Sequence, residues 1–75
     1  MEDILNNILV FATNIKTEND RQKISFALDE NSEIQEWNID LEDIDCVLRV
    51  VSETLSERQI VNILDNHNFN CIPLE

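Results

Sequence analysis

The chain has 75 residues, with sixteen Asp and Glu against five Lys and Arg, and a formal net charge of −11. A chain of this length predicts a single domain, residues 1–75, with a thin core. Nucleic acid and anionic membranes are poor partners for so acidic a protein, because both are bound chiefly through Lys and Arg.

The N-terminus and the cysteines indicate a cellular compartment. Residues 1–3 carry no basic side chain, and the apolar run 8–12 is too short for a signal peptide or a membrane span. Two cysteines do not form the disulfide framework of a small secreted domain. We therefore expect a cytoplasmic protein.

The first half of the chain predicts a strand, a helix and a second strand. The continuous apolar run 8–12 is typical of a strand covered on both faces. Thr17, with Asp20 three residues later, is typical of a helix N-cap. Apolar residues then recur on one helical face: Ile24, Ala27 and Leu28. Alternation over 35–41 predicts a half-exposed strand with these side chains on one face: Trp37, Ile39 and Leu41.

The second half predicts a strand, a helix and a strand. The apolar run 46–51 is expected to pair with the preceding strand as a hairpin. Ser56 and Gln59 form a capping box at the start of the second helix, and Pro73 belongs at the edge or end of a last strand, 70–74. The order βαββαβ predicts an α+β ferredoxin-like sandwich: an antiparallel four-stranded sheet of order 4-1-3-2 with two helices on one face.

Glycine is absent from the sequence, whereas asparagine is abundant. Asparagine tolerates the left-handed backbone region better than other residues that carry a Cβ. We therefore expect Asn14, Asn31 and Asn68 to occupy turn and cap positions usually given to glycine. The absence of glycine also removes every glycine-rich phosphate loop.

Several residues share the spacing of a known family pattern: Asn14-Ile15, Ile24, Ala27-Leu28, the segment 38–41 and Asn68-Phe69. Through them the chain, from Val10 to Leu74, resembles the heavy-metal-associated domain, the small ferredoxin-like module of copper chaperones and metal-pumping ATPases. That family carries the motif Gly-Met-x-Cys-x-x-Cys between its first strand and first helix. The resemblance implies the same fold for this chain.

The two cysteine positions of the family motif correspond to Thr17 and Asp20. Copper(I) is a soft ion held by thiolates, and neither a hydroxyl nor a carboxylate replaces them. The residues therefore predict a degenerate metal-binding motif, no cofactor, and a binding or scaffold role. Since no nucleophile with a paired base and no cofactor loop is present, we do not expect an enzyme.

Other residues leave a metal carrier open as the alternative function. Four carboxylates cluster in the predicted hairpin: Asp40, Glu42, Asp43 and Asp45. They lack the pattern of an EF-hand, so a weak cation site competes with a solvated turn. Cys46 and Cys71 are expected about 9 to 10 Å apart across the first strand, too far for a disulfide. A cysteine shared between subunits is the other candidate ligand.

The sheet face away from the helices is a candidate interaction surface. If Val10 and Ala12 face the helices, and Leu48 and Val50 do likewise, the alternate residues face outward. That predicted interaction surface consists of Leu9, Phe11, Val47, Arg49 and Val51. An apolar patch of this kind indicates a protein partner or a homodimer. Alternatively, the N-terminal segment 1–7 frays or folds over the patch.

Overall fold

A computed structural model of the protein describes residues 7–74, which form four strands and two helices in the order βαββαβ. The elements are β1 (Ile8–Thr13), α1 (Glu18–Glu30), β2 (Glu36–Ile39), β3 (Leu48–Val51), α2 (Glu57–Asn66) and β4 (Cys71–Pro73). Antiparallel pairing gives the sheet order β2-β3-β1-β4, which is the predicted order taken from the other end. The predicted ferredoxin-like fold is confirmed.

Helix α2 begins and ends with the local structures that its sequence predicts. The N–H of Gln59 donates to Ser56 Oγ at 3.3 Å, and the N–H of Ser56 donates to Gln59 Oε1 at 2.8 Å, which completes the capping box. Asn68 follows the helix with φ 68°. The N–H of Phe69 then donates to the carbonyl of Leu64 at 3.0 Å. This is a Schellman ending, in which asparagine takes the place of glycine.

The other two asparagines do not take up a left-handed backbone. Asn31 is the C-cap of α1, as predicted, but its backbone is extended, with φ −82°, and Asn14 is not among the described residues with positive φ. The left-handed conformation falls instead on Cys46, with φ 47°. The prediction of a strand over 46–51 is therefore wrong at its start, because the chain turns at Cys46 and β3 begins at Leu48. The hydroxyl of Thr13 donates to the carbonyl of Cys46 at 2.7 Å and supports this turn.

The core lies between the sheet and the two helices. It consists of Phe11, Ile15, Ile24, Leu28, Ile39, Leu48, Val50, Ile60, Leu64 and Cys71. Trp37 and Leu41 pack against it, so the predicted inner face of β2 is correct. The indole N–H of Trp37 also donates to Asp29 Oδ1 at 2.7 Å and joins β2 to α1. Each fully buried large apolar side chain stabilises the fold by about 1.5 to 3 kcal/mol.

The predicted orientation of the first strand is wrong. Phe11 is 0% exposed at the centre of the core, and Leu9 packs against the same core. Because side chains alternate along a strand, Ile8, Val10 and Ala12 lie on the opposite face. Phe11 is the bulkiest side chain of β1, and the space beneath the helices accommodates it. Leu9 and Phe11 therefore do not belong to an interaction surface.

Two further features bear on location and accessibility. Neither helix within residues 7–74 is long and apolar enough to cross a membrane. The expectation that segment 1–7 frays or covers the sheet concerns residues that, apart from Asn7, lie outside the described part of the chain. The carbonyl of Asn7 accepts a hydrogen bond from the N–H of Ser52 at 3.0 Å, which holds the entry to β1 beside the end of β3.

Candidate functional site

The two positions that the sequence resemblance matches to the cysteines of the heavy-metal-associated motif lie at the start of α1. Thr17 is the N-cap, with extended backbone, and its hydroxyl oxygen accepts a hydrogen bond from the N–H of Asp20 at 3.0 Å. The carboxylate of Asp20 in turn accepts from the N–H of Lys16 at 3.4 Å. Both side chains thus bind backbone N–H groups at the helix start. Glu18 and Asp20 also place negative charge at the positive end of the helix dipole.

The loop that precedes this helix is fixed by contacts within the chain. Ile15 is 0% exposed and belongs to the core. Its N–H donates to the hydroxyl oxygen of Thr13 at 3.2 Å. Asn14 Oδ1 accepts a hydrogen bond from the N–H of Asn70 at 2.9 Å, just before β4. Burial of one side chain and two hydrogen bonds therefore set the conformation of the segment from Thr13 to Lys16.

The hairpin carboxylates have local roles in the turn between β2 and β3. Asp40 Oδ1 accepts from the N–H of Glu42 at 3.1 Å, and Asp43 Oδ1 accepts from the N–H of Asp45 at 2.8 Å. These are Asx turns, which explain why aspartate recurs in this segment. Within residues 7–74, no three His, Cys, Asp or Glu side chains converge in a group that could hold a metal ion. Asp40, Glu42, Asp43 and Asp45 are therefore not assembled into one site.

Cys46 and Cys71 are both buried and free. They flank Thr13, which bonds to the carbonyl of Cys46 through its hydroxyl and is the register partner of Cys71. The two cysteines thus lie on opposite sides of β1, as the predicted strand order requires. Burial raises the pKa of the Cys71 thiol from its ordinary value of 9.0 to about 12. Because the thiolate is the form that binds metals, this shift opposes metal binding by Cys71 near neutral pH.

The sheet side away from the helices defines the surface that we call the open face. It consists of Ile8, Val10, Ala12, Glu36, Asn38, Arg49, Val51 and Ile72. In register, Val10 lies opposite Arg49, and Arg49 lies opposite Asn38. Arg49 and Val51, which were predicted for this side from the sequence, lie there. Val47 precedes β3 and is only 8% exposed, so it contributes little accessible area.

A shallow cavity of about 250 Å³ continues the open face toward the hairpin turn. Its lining residues are Ala12, Thr13, Asn14, Lys16, Ile44, Asp45, Asn70 and Ile72. Ile44 is 94% exposed and Ile72 is 63% exposed. Neither residue was predicted from the sequence as part of a surface site. A signal was available for Ile44, since an apolar side chain within an acidic turn has no core to enter.

Comparison with known proteins identifies the fold. Neither protein-family models nor the sequences of characterised proteins match this chain. The copper(I)-loaded first domain of the human copper chaperone for SOD1 matches it with a TM-score of 0.76 and 18% identity, over 88% of this chain and 89% of that one. The apo HMA domain of copper chaperone for superoxide dismutase matches with a TM-score of 0.78 and 18% identity, over 91% of this chain and 66% of that one.

These neighbours share the ferredoxin-like architecture of the heavy-metal-associated domain. The chain therefore has the fold of a copper-chaperone-like domain, as the resemblance in its sequence implied. At 18% identity the likeness concerns the fold, because function depends on the residues that a scaffold carries at its site.

Proposed function

We propose that this protein is a non-catalytic binding or scaffold module, built on the heavy-metal-associated fold, that has lost the thiolate site for metal transfer. The observation that carries this proposal is the hydrogen bonding of Thr17 and Asp20 at the start of α1. Both positions bear oxygen groups, and both groups cap backbone N–H donors. Copper(I) prefers soft sulfur ligands, so this arrangement favours helix capping over capture of the ion.

The rival function, a metal carrier with other ligands, has less support. Asp40 and Asp43 direct carboxylate oxygens to the N–H groups of their own turn. Strong sites for hard cations assemble six or more oxygens around one point, and within residues 7–74 the hairpin carboxylates do not converge in such a group. A cysteine shared between subunits would have to come from a buried position, since both Cys46 and Cys71 are buried.

The absence of catalysis is part of the proposal. His67 Nδ1 lies 2.9 Å from the carbonyl oxygen of Ile63 at the end of α2. Within residues 7–74 no Ser, Thr or Cys side chain hydrogen-bonds to this ring, so His67 does not act as a base for a neighbouring nucleophile. A hydrogen bond to the carbonyl of its own helix gives His67 a structural role.

The proposed activity is the binding of another protein in the cytoplasm through the open face, without nucleic acid or membrane contact. Support comes from β1, which packs Leu9 and Phe11 against the core and presents Ile8, Val10 and Ala12 on its other side. Apolar side chains on the solvent side of a sheet mark surfaces that associate. The acidic surface elsewhere disfavours polyanionic partners.

Calorimetric titration under reducing conditions with copper(I), zinc and calcium tests this proposal. We expect no stoichiometric binding of micromolar or tighter affinity for any of the three ions. Stoichiometric copper(I) binding by the unmodified chain would contradict the loss of the site. Calcium binding that disappears in Asp43→Asn, but persists in the matched control Asp65→Asn on α2, would support the rival function instead.

A further inference from the structure

The open face differs in charge from the rest of the molecule. It carries one cation, Arg49, and one carboxylate, Glu36, among apolar side chains and the amide of Asn38. The whole chain has a net charge of −11, and carboxylates are concentrated on the hairpin and helices. Contact between two copies through those regions would oppose like charges. The open face carries one positive and one negative charge, so its net charge does not oppose contact with a second copy.

The register fixes how the two charges are placed. Glu36 lies opposite Val51, and Arg49 lies opposite Asn38. The two charged residues are therefore diagonal neighbours on adjacent strands, offset by two residues along the strand. Strand spacing and rise per residue put their Cα atoms about 8 Å apart. Within residues 7–74 Arg21 pairs with Glu18, whereas Arg49 and Glu36 do not pair with each other.

In a two-fold dimer, the diagonal arrangement of Glu36 and Arg49 on one copy can face the same arrangement on the other copy with opposite charges together. In such an interface, when one residue contacts a second residue of the other copy, the reverse contact also occurs. An axis that crosses the strands midway between Glu36 and Arg49 brings Arg49 of each copy near Glu36 of the other. The same axis places Ile8 of one copy over Val10 of the other. Across the sheet, Ile8 is in register with Glu36, and Val10 is in register with Arg49.

We propose that a second copy of this chain binds the open face in a two-fold dimer. Arg49 of each copy pairs with Glu36 of the other, and Ile8 and Val10 pack between the sheets. The inference rests on the proposed function, since it names the partner of the open face. A basic partner would bind the acidic hairpin and helices in preference to the open face. The open face is apolar with no net charge, so it is complementary to a second copy of itself.

Sedimentation equilibrium of the full chain over a range of concentrations tests the dimer. Wild type should show a monomer–dimer equilibrium, and Arg49→Glu should weaken it at least about tenfold, because two Glu–Glu contacts replace two ion pairs. Glu36→Arg should weaken it similarly. The double variant Glu36→Arg/Arg49→Glu should restore association. The control Arg58→Glu on α2 makes the same charge change as Arg49→Glu and should leave the equilibrium near wild type.

Three results would overturn the dimer: a wild-type protein that is monomeric up to about 1 mM, association insensitive to Arg49→Glu, or failure of the double variant to restore it. Circular dichroism of each variant tests whether the fold is retained. A monomer that binds no copper(I) would contradict the dimer and leave the proposed loss of the metal site. A dimer that binds copper(I) stoichiometrically would contradict the loss of the metal site and leave the dimer.

Discussion

The hydroxyl oxygen of Thr17 accepts a hydrogen bond from the backbone N–H of Asp20 at 3.0 Å. The sequence resemblance matches the same two positions to the cysteines of the heavy-metal-associated motif, so the proposed loss of the metal site concerns the pair of residues that begins α1. The cap is a local feature, and its strength can be measured without reference to any metal.

Replacement of Thr17 by alanine should lower the free energy of unfolding by about 1 kcal/mol, because the N–H of Asp20 loses its acceptor. Thr17→Ser retains a hydroxyl and should remain close to wild type. Urea denaturation followed by circular dichroism measures both. Equal stability of the alanine and serine variants would show that the cap contributes nothing.

The orientation of β1 predicts unequal costs for two neighbouring residues. Phe11→Ala removes a fully buried ring and should cost about 3 to 5 kcal/mol, whereas Val10→Ala on the open face should cost less than about 1.5 kcal/mol. The milder Phe11→Leu keeps the comparison measurable if Phe11→Ala fails to fold. Urea titration of the three variants decides, and a larger loss for Val10→Ala than for Phe11→Leu would reverse the assigned faces.

The sequence predicts a feature of the fold only where the residue types at that place differ in structural preference. Ser56 and Gln59 are side chains that cap helices, and alternation around Trp37 distinguishes two faces, so both features were predictable. The strand from Ile8 to Ala12 is apolar at every position, and alternation within it gives no orientation. Its orientation depends on the space beneath the helices, which only the folded chain defines.

In the candidate site, features set by local sequence were predictable and features set by contacts between distant residues were not. Thr17 and Asp20 could be placed at the helix start because capping depends on local spacing. The turn at Cys46 could not be foreseen, since its left-handed backbone is supported by Thr13, 33 residues away in sequence. The exposed Ile44 and Ile72 come together only through the packing of the hairpin turn beside β4.

The left-handed backbone of Asn68 gives a prediction about the end of α2. At φ 68° an alanine Cβ is disfavoured, so Asn68→Ala should lower the free energy of unfolding by about 1 kcal/mol. Asn68→Gly should equal or exceed wild type. Asn66→Ala, inside α2, is the matched control and should not be destabilising. Thermal or urea unfolding measures all three, and similar stability for Asn68→Ala and Asn68→Gly would contradict a Schellman ending.

Burial of Cys71 predicts a loss of stability at alkaline pH. The thiol pKa is raised to about 12 in the folded chain, above its ordinary 9.0, so ionisation favours the unfolded state. The stabilising contribution is complete below pH 9 and is lost as the pH rises toward 12, at about 1.4 kcal/mol per pH unit for one proton. The difference in unfolding free energy between wild type and Cys71→Ala should shrink over that range. A difference independent of pH would contradict the shift.

A copper(I) competition titration against a chromophoric chelator, under reducing conditions, tests the proposed loss of the metal site most directly. The wild-type chain is compared with Thr17→Cys/Asp20→Cys, which restores both thiolates at the start of α1, and with Thr17→Ser/Asp20→Asn as the control without sulfur. We expect the cysteine variant to take one copper(I) from the chelator, and wild type and control to take none. Stoichiometric removal of copper(I) by the wild-type chain would contradict the proposal.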